Sequence, residues 1–115
     1  NNYSTACDMA VILHAAMENE ICKKVLSARI YTTSCTQQHP QGITFSSKFL
    51  NRIDRKFGKG KVVGAKTGYV NQSRYCAVSM YESEANNKYI CVTGMAGKAW
   101  QTVYDHIAFY QNYCK

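Results

Sequence analysis

Lys66-Thr67-Gly68, followed by Tyr69, closes a run of strand-forming residues and sets three chemistries side by side. Lys66 brings a positive charge, Thr67 a hydroxyl that can donate a hydrogen bond, and Gly68 bare backbone against which another extended chain can lie. On a strand bordering a cleft, this combination suits the capture of an anionic group beside an extended chain. Each residue also has an ordinary reading. Lys66 can be an edge lysine that discourages aggregation, Thr67 a β-former on a half-buried face, and Gly68 a bulge. Average residue usage places the triplet by chance in about 3% of chains of this length. Taken singly the ordinary readings win, so the flanking sequence has to decide. Arg74 follows closely, and nothing in the sequence says whether it faces the same cleft.

The elements that must position these residues are legible from spacing. Val62–Val70, Arg74–Glu82 and Lys88–Met95 read as three successive strands, the last two a hairpin around Ser83-Glu84-Ala85-Asn86-Asn87, whose Asn residues tolerate turn dihedrals. Ala77, Val78, Met80, Tyr89, Ile90, Cys91 and Val92 are apolar on both faces of these strands, which predicts a sheet covered on both sides. Upstream, Thr5 with Asp8 predicts a helix start, and Ala6, Met9, Ala10, Leu13, Ala16 and Met17 form its apolar stripe. A second short helix capped by Asn19 is expected to turn Ile21, Val25 and Leu26 inward. Residues 29–33 read as a strand, residues 34–42 as a loop, and Phe49–Ile53 as a short helical turn. Lys98–Cys114 reads as a helix with Trp100, Val103, Tyr104, Ile107 and Cys114 on one stripe. Pattern alone therefore gives an α+β domain. The glycine-lysine stretch from Lys56 to Lys61 lacks the phosphate-loop pattern and reads as a solvated turn.

The residues around the triplet carry a wider resemblance. Asn2-Tyr3-Ser4-Thr5-Ala6-Cys7-Asp8-Met9-Ala10 is similar to the helix start that follows the S-x-N loop in low-molecular-mass penicillin-binding D-alanyl-D-alanine carboxypeptidases. Lys61–Val70 resembles their third-motif strand, and Arg74-Tyr75-Cys76-Ala77-Val78-Ser79 the strand after it. Lys-Thr-Gly is the third signature of this serine β-lactamase and penicillin-binding group, after S-x-x-K and S-D-N. The first two are absent: no Ser has Lys three residues on, and no S-x-N occurs. Tyr69-Val70-Asn71 and Tyr110-Gln111-Asn112 match a Y-x-N variant by letter only, since both follow the triplet that the family's motif precedes.

The resemblance implies that residues 1–115 are the C-terminal portion of a catalytic domain of β-lactamase/transpeptidase-like fold, an antiparallel sheet flanked by helices, without its nucleophile-bearing half. It implies a serine-type enzyme that removes the terminal D-Ala of peptidoglycan stem peptides through an acyl-enzyme and is acylated by β-lactams. No cofactor or metal is implied, and the location is the bacterial cell envelope, outside the cytoplasm. By the same resemblance Lys66 bonds the S-x-N serine, aids proton transfer and attracts the substrate carboxylate. Thr67 donates to that carboxylate, Gly68 admits the substrate backbone, and the Tyr69 N–H is the second oxyanion donor. The chain alone is expected to be inactive. Its partner would be the N-terminal half of the same domain, or a second copy of itself through an open strand edge.

Composition leaves room for a rival. A net charge of +7 suits an anionic partner or a merely solvated basic surface. A non-catalytic envelope-binding module built on the same half-fold is the alternative reading. Base stacking on Tyr104, Tyr110 and Tyr113 would make a distant third, but no RNA-module signature is present, so nucleic acid is not expected as a partner. No apolar run is long enough to span a bilayer. The six cysteines form no C-x-x-C, and four fall within apolar helix or strand patterns, so mostly unpaired core thiols are expected, with Cys76 and Cys91 on neighbouring strands the pair to examine. His14, His39 and His106 show no metal-ligand spacing.

Overall fold

The computed structural model describes residues 2–54 and 60–114. Most of the basic glycine stretch, residues 56–59, therefore lies outside the described residues. Helix α1 (Ala6–Glu18) starts as its sequence predicts: the Thr5 hydroxyl accepts from the Asp8 N–H at 3.1 Å. Asn19 then caps α2 (Glu20–Ser27), its side-chain oxygen accepting from the N–H groups of Ile21 and Cys22 at 3.1 and 3.0 Å. Strands β1 (Ile30–Thr32) and β2 (Thr44–Ser46) form a two-stranded antiparallel arm. The short α3 (Lys48–Ile53) follows, capped by the Ser47 hydroxyl. Next come β3 (Lys61–Val70), β4 (Arg74–Glu82) and β5 (Lys88–Ala96), and the long α4 (Ala99–Tyr113).

The main sheet is antiparallel in the order β3-β4-β5. Helices α3 and α4 cover one face, α1 and α2 the other. Two separate apolar cores result. On the α3/α4 side Leu50, Ile53, Val62, Ala77, Val103 and Tyr110 interlock; on the α1 side Leu13 and Met17 pack on Val78 and Met80. Val62 and Ala65 belong to the same core although three residues apart, which strict alternation forbids. The register slips between Val62 and Gly64, and this bulge resets which face each later residue takes. At Gly64 a Cβ would come within 2.7 Å of the Met17 sulfur, so the missing side chain is what lets α1 approach the strand.

Several expectations need correcting. In α2, Ile21 and Val25 are 77% and 70% exposed, because the helix is short and only Leu26 reaches the α1-side core. The buried stripe of α4 is Thr102, Val103, His106, Ile107 and Tyr110, whereas Trp100 and Tyr104 are partly exposed. The helix is thus turned so that two polar-tipped rings point inward, where they find partners. The second strand of the arm, β2, had no visible signal in its three residues. All six cysteines are free. Only Cys91 is buried, while Cys7, Cys22 and Cys35 are exposed, so the expectation of core thiols fails for those three. Cys91 sits opposite Ser79 rather than opposite Cys76, three positions out of register for a bridge.

Candidate active site

Lys66, Thr67 and Gly68 lie on β3 opposite Val78, Ala77 and Cys76. Directly opposed residues share a face, so Lys66 leaves the sheet on the α1 side with Val78, and Thr67 on the α3/α4 side with Ala77. The two side chains therefore reach around opposite faces of one strand, and all three motif residues are exposed. The Lys66 ammonium donates to the Thr67 carbonyl. Alternate residues address the same edge of a strand, so the Tyr69 N–H lies on the edge of the Thr67 carbonyl. No further strand pairs with β3 beyond β4 among the described residues. At Gly68 an added Cβ would meet no atom within 4 Å.

The strand is held in place from both ends. At its start, Arg29 donates to both Asp54 carboxylate oxygens at 2.8 and 2.9 Å and to the Val62 carbonyl at 2.7 Å, a planar fork that ties α2, α3 and β3 together. At its end, the Tyr69 and Tyr75 rings pair with centroids 4.6 Å apart, and the Tyr69 hydroxyl donates to Asn71. Arg74 and Met95 both have positive φ, 53° and 59°, in the left-handed region that costs a non-glycine residue about 1–2 kcal/mol. The Met95 N–H donates to the Ser73 carbonyl at 3.1 Å, which ties the end of β5 to the turn that precedes Arg74. Arg74 is exposed and lines a small hollow with Tyr69, Asn71 and Tyr75.

The motif borders a cavity on each face. On the α1 side one of about 410 Å³ is lined by Lys66 and Gly68 with Met9, Cys76, Val78 and Val92. On the other side one of about 490 Å³ lies between the starts of α3 and α4, with Thr67 and Gly68 at its rim and Lys48, Phe49, Tyr75 and Trp100 among its walls. Trp100, Tyr75 and Phe49 were not singled out for the site. Their sequence separation hides the cavity, which exists only once α3 and α4 are docked on the sheet.

A second polar cluster has the residue types of a nucleophile and its base. The Ser79 hydroxyl is 2.7 Å from His106 Nδ1 and 2.7 Å from the Tyr110 hydroxyl, and His106 Nε2 is 3.0 Å from the Thr93 hydroxyl. Ser79 and His106 are 0% exposed, so no substrate can reach them. Burial lowers the His106 pKa to about 4, partly opposed by Asp105, and the ring is neutral at pH 7. The cluster is a structural pin joining β4, β5 and α4. Its only sequence trace is the helical spacing of Val103, His106, Ile107 and Tyr110. Burial likewise raises the Cys91 thiol to about 12, which leaves it protonated and inert. Among the described residues no group of three His, Cys, Asp or Glu could hold a metal ion.

An antiparallel sheet with helices on both faces and a Lys-Thr-Gly on its exposed edge strand defines the class of fold. A crystal structure of D-alanyl-D-alanine carboxypeptidase from Mycobacterium tuberculosis H37Rv has a similar fold, with a TM-score of 0.64 at 19% sequence identity over 96% of this chain and 42% of that one. The likeness is one of fold, and the chain spans less than half the length of that enzyme. No family model and no curated protein matches the sequence.

Proposed function

We propose that Lys66, Thr67, Gly68 and Tyr69 form the substrate-holding strand of a serine-type D-Ala-D-Ala carboxypeptidase, and that residues 1–115 are the C-terminal portion of its catalytic domain, acting in the bacterial cell envelope. The nucleophilic Ser and the S-x-N motif belong to a preceding portion of the domain. In the reaction, the Ser hydroxyl oxygen bonds to the carbonyl carbon of the penultimate D-Ala, and the peptide C–N bond breaks. The Ser proton passes to the leaving amine of the terminal D-Ala, and water then hydrolyses the ester. Lys66 and Thr67 hold the terminal carboxylate from the two faces of β3, and the Tyr69 N–H stabilises the oxyanion with the nucleophile's own N–H. A β-lactam would acylate the same Ser.

The observation that carries this reading is the open edge of β3, which pairs with no strand other than β4 among the described residues and carries a cation and a hydroxyl beside Gly68. Acetyl-D-Ala-D-Ala titrated into the full chain should shift the amides of residues 66–69. The same peptide ending in a carboxamide should bind at least about 10-fold more weakly, since a charged hydrogen bond contributes about 1.5–3 kcal/mol. Equal binding of acid and amide would overturn the assignment. Incubated with penicillin, this chain should show no covalent mass increase, because it carries no S-x-x-K serine to acylate. The +7 charge and the absent nucleophile motif favour one second reading, a non-catalytic module that binds an anionic envelope polymer. That module would bind polyanion in a salt-sensitive way with no dependence on Thr67 or Gly68.

A further inference from the structure

Where β3 turns into β4, Tyr69, Asn71, Arg74, Tyr75 and Gly97 enclose a hollow of about 310 Å³, the size of a pocket for one small ring. The Tyr69 and Tyr75 rings meet at 43° with centroids 4.6 Å apart and form an aromatic floor, and Tyr69 is 54% exposed. The Tyr69 hydroxyl donates to Asn71 Oδ1 at 3.1 Å, which uses the amide's acceptor and leaves its NH2 to donate. Arg74 is exposed and forms no ion pair among the described residues. No Asp or Glu lines the hollow, so its charge is one cation with no anion. The backbone at Arg74 has a φ of 53°, which Gly or Asn adopts at lower cost. The turn itself therefore gives no reason for an arginine, and residues held in such backbone gather where ligands are clamped.

We propose that this hollow binds one sugar ring that carries an oxyanion, a carboxylate or a phosphate, as a unit of an anionic polysaccharide. A pyranose has an apolar C–H face and a rim of hydroxyls, so a flat aromatic floor with donors at its edge complements it. The C–H face packs on Tyr69 and Tyr75. Arg74 takes the oxyanion in its planar fork, and the Asn71 amide donates to a hydroxyl oxygen on the rim. The net charge of +7 draws such a polymer toward the surface. Binding here is independent of a peptide on β3, because neither Lys66 nor Thr67 lines the hollow.

Methyl β-D-glucuronide, glucose 6-phosphate, methyl β-D-glucoside and acetate are titrated into the full chain at low salt. Binding is read by NMR at the Tyr69 and Tyr75 ring protons and the Gly97 amide. The two charged sugars should shift these signals saturably and bind at least about 3-fold tighter than the neutral glucoside, the scale of one exposed charge pair. A preference shown by only one of them names the oxyanion and upholds the site. Acetate should leave the signals unmoved at the same concentrations; acetate as tight as the sugars would overturn the sugar assignment. Arg74→Gln should remove the preference, while Lys66→Gln keeps it. Arg74→Gly should also remove it, with a urea midpoint equal to the parent's or higher, because glycine relieves the backbone. Equal binding of charged and neutral sugars, a preference that survives Arg74→Gln, or a lowered midpoint in Arg74→Gly overturns the site. Acetyl-D-Ala-D-Ala binding that depends on Lys66 but not on Arg74 belongs to β3 alone, so the two sites fail separately.

Discussion

At Gly68 an added methyl group meets no atom of the described residues within 4 Å, and the residue has no positive φ. Gly68→Ala should therefore leave stability unchanged to within about 0.5 kcal/mol, while the methyl group projects into the α1-side cavity beside Lys66 and crowds a substrate held there. A loss of acetyl-D-Ala-D-Ala binding with an unchanged urea midpoint is the expected result; a destabilised but binding-competent variant would make Gly68 a structural glycine after all. Lys66→Ala and Thr67→Ala act differently, by removing a charge or a donor rather than adding bulk. Both side chains are exposed, so stability should again hold. In a complete enzyme each substitution should slow acylation by about 10²- to 10³-fold, the usual cost of losing one group aimed at developing charge. Wild-type acylation kinetics in Lys66→Ala would contradict the assigned role. The triplet could be picked out from residue types alone. Which face each side chain takes could not, because the bulge between Val62 and Gly64 sets the face of every later residue and leaves no mark in the letters.

Among the elements, β3, β4 and β5 were readable to within a residue because β-forming and apolar residues dominate each span between turn signals. The rotation of α4 was not readable. Trp100 and Tyr104 look like core residues by hydrophobicity, and His106 does not, yet His106 is the one fully buried. Its place depends on Ser79 and Thr93 offering hydroxyls from two strands, a tertiary match with no local signature. This pin has a pH signature. The native imidazole has its pKa lowered to about 4 from 6.5 by burial, so between those values the unfolded chain binds a proton that the folded chain refuses. The contribution is intact above about pH 6.5 and is lost as pH falls toward 4, by about 3 kcal/mol in all. Urea midpoints measured from pH 7 to pH 4 should fall through this window, and the fall should vanish in His106→Gln, which keeps a polar side chain of similar reach. An identical fall in both proteins would assign the acid sensitivity to other groups.

For the molecule as a whole, surface area is the informative quantity. The chain exposes 8336 Å², whereas a compact monomer of 13.0 kDa is expected to expose about 6,300 Å². Its radius of gyration is 15.1 Å, against about 13 Å for a compact domain of this length. The excess of about 2,000 Å² is comparable to the total surface removed in a standard protein interface. It is also apolar in places: Val11, Ile12, Ile21 and Val25 on α1 and α2, and Ile30, Tyr31 and Phe45 on the arm, are all more than half exposed. The outer edge of β5 also has no pairing strand among the described residues, and it carries Ile90 and Val92, only partly buried. An open apolar edge recruits another strand. We therefore expect the chain to self-associate at micromolar concentration, by pairing along Lys88–Ala96 or by exchange of elements, unless a preceding portion of its domain takes that edge. Sedimentation velocity should show a concentration-dependent species heavier than the monomer. Hydrogen exchange should then protect the outward amides of β5 in that species and leave them fast on dilution. Placing a charge on the edge, as in Val92→Lys, should shift the distribution back toward monomer. A single monomeric species across the concentration range, with β5 amides already protected, would mean that the edge is closed within the chain itself, and the self-association argument would fail.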